Sequence, residues 1–248
     1  MEGAALLGRL TWELAEVVDL VVENPRVKTL ALDVPEWPGH RTGQHVDVRL
    51  TAEDGYQAER SYSIASAPSG NRVELTVETL EDGEVSPYLT DVLRPGDKLE
   101  LRGPIGGYFV WELATGGPVL LVGGGSGVVP LMAMIRERAA AGSDVAMCLL
   151  YSSRSWDDVI YRDELARLAG GGLTVTHTLT RSQPEGWTGY SRRVDGEMLA
   201  EVGPAAADRP HVYVCGPTPF VEAVAAALVA QGHEPQRIKT ERFGPTGG

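Results

Sequence analysis

Two short stretches of this sequence carry groups of the kind that hold a redox cofactor. In Arg60-Ser61-Tyr62-Ser63 a cation, an aromatic ring and two hydroxyls fall within four residues. A flavin needs cations or amides for its phosphates, an aromatic or apolar platform for its ring and a hydrogen-bonding group beside its reactive nitrogen. On a strand, alternate side chains share a face, so Arg60 and Tyr62 point to one side. Taken alone, the tetrapeptide also reads as an ordinary exposed strand. The second stretch, Gly123-Gly124-Gly125-Ser126-Gly127, follows an apolar run and opens an amphipathic segment. Exposed N–H groups and the positive end of a helix dipole favour a pyrophosphate there, and glycines let it approach the backbone. A ligand-free strand-to-helix turn has the same composition. The spacing also departs from G-x-G-x-x-G, because Val128 stands at the third glycine's place and Pro130 follows.

The elements that must position these groups fall into two halves. From Leu10 to Phe109, β-branched runs at 17–22, 27–32, 45–50, 73–79 and 98–101 are separated by turn chemistry such as Glu53-Asp54-Gly55 and Arg94-Pro95-Gly96-Asp97. This pattern predicts an antiparallel β-barrel. One helix interrupts it at 86–93, with Ser86 as N-cap and Pro87 at the first helical position. Beyond 114–118, apolar strands at 119–122, 145–151, 173–179 and 211–215 alternate with helices at 129–141, 161–169 and 219–231. Alternation of this kind predicts an α/β domain with a mostly parallel sheet. The expected fold is therefore two-domain, 1–113 and 114–248, with the last residues, 245–248, loose.

Composition narrows the function. A formal charge of −12 and the absence of Lys and Arg clusters argue against a nucleic-acid surface. No apolar run approaches the roughly 20 residues of a membrane span, and no basic and apolar leader opens the chain, so a soluble, cytoplasmic protein is expected. Cys148 and Cys215 lie far apart in apolar runs and read as free thiols, with no zinc spacing and too few cysteines for an iron–sulfur centre. None of the five histidines shows ligand spacing, and surface or capping roles are expected for them.

Four stretches in one order resemble the ferredoxin-NADP reductase family: Arg60-Ser61-Tyr62-Ser63, Gly103-Pro104-Ile105-Gly106-Gly107-Tyr108-Phe109, the G-x-G-x-G-x-x-P of Gly123 to Pro130, and Cys215-Gly216-Pro217. The resemblance implies a flavoprotein in which hydride passes from nicotinamide C4 to flavin N5. Arg60 would contact a flavin phosphate, Ser61 would flank it, Tyr62 would stack on the ring and Ser63 would approach N5. Thr76, Val77 and Glu78 would add cofactor contacts, and Val85 and Ser86 would meet a second phosphate. FAD is preferred over FMN on the same analogy. Gly123, Gly124, Gly125, Ser126 and Gly127 would cradle the nicotinamide pyrophosphate, while Cys215, Gly216 and Pro217 would line the nicotinamide. Ser152, Arg154 and Arg162 would meet a 2'-phosphate, which favours NADPH and leaves NADH open; Thr180-Arg181 would line the same groove. In the segment Glu241-Arg242-Phe243-Gly244, Phe243 would cover the flavin and Glu241 would supply a carboxylate. Ser63, Glu241 and Cys215 are thus placed at the reacting atoms, Cys215 without redox duty. Lacking the length and cysteines for a fused ferredoxin domain, the chain is expected to serve a separate acceptor, such as a ferredoxin feeding an oxygenase or cytochrome P450. A reductase of diffusible flavin and an electron-transfer subunit of a larger complex are the alternatives.

Overall fold

In residues 10–243, the part of the chain that the computed structural model describes, two sheets account for the strands. Gly244 and the stretch 245–248 expected to be loose lie outside the described residues, as does the chain start at 1–9.

The first sheet joins β1 (Glu13–Asn24), β2 (Val27–Asp33), β3 (His45–Thr51), β4 (Gln57–Ser63), β5 (Arg72–Glu78) and β6 (Lys98–Ile105) in the order β4-β3-β6-β1-β2-β5, with every pair antiparallel. A bridge between Ile64 and Leu75 brings the two edge strands together, so the sheet closes on itself as a barrel. Strand alternation fills its interior. Val73, Leu75 and Val77 of β5 are fully buried with Val46, Val48, Leu30 and Leu101, whereas Glu74, Thr76 and Glu78 face the other way.

A helical turn, Tyr88–Val92, plugs the barrel with Leu89, flanked by Val85 and Leu93. It is wound wide, since Leu93 N–H bonds Tyr88 C=O at 3.1 Å. The expected capping role of Ser86 is not what is found. Its hydroxyl accepts from the Leu80 N–H at 3.0 Å and so ties down the preceding turn, while the helical turn gets no side-chain cap.

The second sheet is parallel throughout: β7 (Val119–Gly124), β8 (Met147–Ser153), β9 (Leu173–Leu179), β10 (His211–Pro217) and β11 (Ile238–Phe243), in the order β11-β10-β7-β8-β9. Central strand β7 is buried on both faces, which is why it reads as a continuous apolar run. Val119 and Leu121 pack under α1 (Val128–Ala140) and α2 (Arg162–Leu168); Leu120 and Val122 pack under α3 (Gly196–Val202) and α4 (Thr218–Ala230). Helix α3 was not expected from periodicity, although Asp195 caps it by accepting from Met198 N–H at 2.9 Å. The segment read as a tail is edge strand β11. No helix among the described residues is long and apolar enough to cross a membrane.

Candidate functional site

A cavity of about 900 Å³ opens where the barrel wall meets the α/β sheet. Of the residues expected to hold a flavin, Arg60, Ser61, Tyr62, Ser63, Thr76, Glu78, Val85, Ser86 and Phe243 all line it. Val77 does not. Standing between Thr76 and Glu78 on β5, it points by alternation into the barrel core, where it is fully buried. Arg60 lies at the mouth, 3.3 Å from Glu84 in an exposed ion pair that a stronger anion can displace. Burial pushes the Tyr62 phenol up to about 12, so the ring is neutral at any ordinary pH. Ser61 donates to Asp47 at 2.6 Å.

A second cavity, of about 460 Å³, lies at the carboxyl ends of the parallel strands, the edge at which α/β sheets take their ligands. Gly124, Gly125 and Ser126 end β7 there, Ser152, Ser153 and Arg154 end β8, Thr180 follows β9 and Pro217 ends β10. Gly125 has φ +56°, a conformation that side chains rarely adopt. A Cβ on Gly127 would sit 2.2 Å from the Cys215 carbonyl oxygen, so only glycine lets this turn lie against the end of β10. Gly123 and Gly127 are thus buried behind the cavity rather than lining it, as are Cys215 and Gly216. Arg162 and Arg181 lie outside the lining too; Arg162 pairs with Asp163 at 3.4 Å beside Trp156.

Several lining residues were not anticipated. Asn24 and Arg26 come from the barrel, Arg193 from the loop ahead of α3, and Phe220 from the first turn of α4. Among the described residues, Arg154 and Arg193 have no carboxylate within ion-pair distance. Arg26, by contrast, is held between Glu78 at 3.4 Å and Asp158 at 3.6 Å. Ser153 Oγ is buried without a hydrogen-bond partner. Cations, hydroxyls and a glycine turn at a helix start form a donor set that fits a dinucleotide phosphate. Glu78 and Ser126 line both cavities, so the two adjoin.

Behind the junction, Glu241 stands in register with Cys215 across β10 and β11. Burial, with the Glu241 carboxylate next to it, pushes the Cys215 thiol well up, which leaves no thiolate for redox work. Glu241 lines neither cavity; burial raises it to about 7, and its Oε2 has no hydrogen-bond partner among the described residues.

Residues 15–110 match the family described as Oxidoreductase FAD-binding domain, and residues 121–226 match Oxidoreductase NAD-binding domain. The chain is 32% identical over 246 residues to the glycine betaine monooxygenase reductase subunit of Pseudomonas aeruginosa, covering 95% of this chain and 66% of that protein. It thus spans just under two thirds of that relative. It is 39% identical over 180 residues to ferredoxin–NADP reductase B of Sorangium cellulosum, covering 70% of this chain and 72% of the relative. Among solved structures, the flavohem-like FAD/NAD binding domain of nitric oxide dioxygenase from Vibrio cholerae superposes with a TM-score of 0.83 at 26% identity, covering 94% of this chain and 99% of that one.

Proposed function

The chain belongs to the ferredoxin-NADP reductase family of FAD- and NAD-binding oxidoreductases, and from that premise we propose that it transfers hydride from NADPH to bound FAD and hands the electrons to a separate redox protein. The observation that carries this reading is the adjoining of the two cavities at Glu78 and Ser126. A bound flavin would supply the chemistry, accepting one hydride and releasing its two electrons one at a time.

The chain's own residues supply position and electrostatics. Arg60 leaves Glu84 for a flavin phosphate; Tyr62 offers its ring face, and the Ser63 hydroxyl a hydrogen bond beside the reacting edge. Phe243, from β11, covers the cavity from the α/β side. Ser126 and the N–H groups of the Gly124–Gly125 turn hold the nicotinamide pyrophosphate. Arg154, Arg193 and the Ser152 and Ser153 hydroxyls favour the 2'-phosphate of NADPH over NADH. The work divides between domains 1–113 and 114–248. The relatives' names, a monooxygenase reductase subunit and a ferredoxin–NADP reductase, support a small ferredoxin serving an oxygenase as the acceptor, in the cytoplasm.

The test is direct. The purified protein should be yellow or take up added FAD, and NADPH should bleach it faster than NADH in stopped flow. A colourless protein that takes up no FAD overturns the reading.

A further inference from the structure

The loop that follows β8 carries Arg154, Asp158 and Ile160 into the nucleotide cavity. It ends at Tyr161, a buried aromatic residue held at φ 58°. A bulky side chain rarely adopts that left-handed conformation, and it persists only where its surroundings over-determine it. Here they do. The Tyr161 hydroxyl donates to Thr76 Oγ1 on the barrel. Thr29 Oγ1 lies 2.8 Å from Thr76 Oγ1 and donates to Glu23 Oε1 at 2.7 Å, so Thr76 is left to donate to Thr29. The other oxygen of Glu23 accepts from the backbone N–H of Tyr161 at 3.2 Å. The hydrogen bonds therefore close a ring in which Tyr161 donates at both ends, through its hydroxyl and its backbone N–H, and both paths end on the Glu23 carboxylate. Arg136 lies over its ring at 4.9 Å and bonds the barrel at the Ala65 carbonyl and Glu74. Asp158, earlier in the loop, is tied to the barrel by Arg26.

We propose that the Tyr161 hydroxyl, bonded to Thr76, is a positioning group that latches the nucleotide-side loop onto the barrel wall lining the flavin cavity. The inference rests on the hydride-transfer reading for its kinetic consequence but not for the latch itself. Thr76 belongs to the flavin cavity, and Ile160, next to Tyr161, belongs to the nucleotide cavity. This hydrogen bond therefore joins the walls of the two cavities directly. Burial pushes the Tyr161 phenol well up, so the donor proton is present at all ordinary pH.

Tyr161→Phe removes only the hydroxyl, and the experiment has two readouts. Hydrogen–deuterium exchange should accelerate at least tenfold in residues 155–161 while β8 and β9 keep their protection. In stopped flow, the limiting rate of flavin bleaching should fall by a larger factor than the nucleotide dissociation constant rises. Thr76→Val should reproduce both effects, Thr76→Ser should not, and the double variant Tyr161→Phe/Thr76→Val should be no worse than either single one. Unchanged exchange in the loop overturns the latch. Faster exchange with a wild-type limiting rate overturns its positioning role. If neither nucleotide bleaches the wild-type protein, the hydride-transfer reading fails, and exchange alone still decides on the latch.

Discussion

Glu241 and Cys215 face each other across two parallel strands, and one oxygen of the Glu241 carboxyl group is buried with no hydrogen-bond partner among the described residues. Burial raises Glu241 from its ordinary 4.5 to about 7. Between those values the folded protein holds a proton that the unfolded chain has released, so this group makes stability fall as pH rises from about 4.5 to about 7 and leaves it flat beyond. A rise of that size corresponds to a cost on the order of 3 kcal/mol above pH 7. Glu241→Gln, still a buried polar group, recovers part of that. Urea unfolding should find the variant more stable than wild type at pH 8 and about equal at pH 4.5. An equal difference at both values counts against an ionisation penalty at this site.

His177 works in the opposite direction. On β9, its ring lies 5.7 Å from Tyr151 and 5.2 Å from Trp156, with Nδ1 buried and unpartnered, rather than in the surface or capping position expected of it. Burial lowers it from 6.5 to about 4. The unfolded chain then binds the extra proton, so this contribution is present above about 6.5 and is lost as pH falls towards 4. His177 and Glu241 therefore tilt stability oppositely over nearly the same range. Replacing His177 with Phe should flatten the acid side, with a gain relative to wild type that grows between pH 6.5 and 4.5. A pH-independent difference would mean that the histidine is not buried neutral.

Which parts of this site could be read before folding depends on how local each signal is. The residue types of the flavin-side tetrapeptide are a local signal, but they also suit an ordinary exposed strand; its assignment came from the family resemblance, and all four of its residues line one cavity, which alternation within β4 alone would not give. The glycine turn after β7 was legible as a local signal. Val77 was misplaced because a neighbour's role does not pass along a strand: Thr76 and Glu78 face the cavity, so the residue between them faces the core. Strand β11 was missed because Lys239, Thr240, Glu241 and Arg242 show no apolar alternation, and its strand character comes wholly from pairing with β10. Arg26 and Arg193 reach the nucleotide cavity through tertiary folding alone. Ser86 looked like a helix cap by composition, but its hydroxyl accepts from the Leu80 N–H of the preceding turn instead.

Phe243 ends β11 opposite Pro217 and packs against the core beneath α1 while lining the flavin cavity. An aromatic contact is worth about 0.5–1.5 kcal/mol beyond its area, or up to roughly tenfold in a binding constant. Phe243→Ala should therefore shift nucleotide affinity or turnover by about that factor and leave flavin bound, as checked by the absorbance ratio after gel filtration. Unchanged kinetics would remove Phe243 from the site; loss of the flavin would make it a holding residue instead.

Three arginines, at 154, 162 and 193, bear on the choice between NADPH and NADH, and the structure separates them. Arg154 and Arg193 line the nucleotide cavity and have no carboxylate partner among the described residues, whereas Arg162 lies outside it and pairs with Asp163. Hydrogen bonds to charged groups contribute about 1.5–3 kcal/mol, and a contact of that size to a 2'-phosphate is roughly tenfold or more in discrimination. Arg154→Ala and Arg193→Ala should each lower the ratio of kcat/KM for NADPH to that for NADH by about tenfold, through the NADPH value. Arg162→Ala should leave it within about twofold, as a solvent-exposed pair predicts. Raising salt should weaken NADPH binding in wild type more than in Arg154→Ala, because the variant has already lost part of the screened attraction. A ratio that stays put in both cavity variants would assign the two cations to the pyrophosphate that NADH and NADPH share.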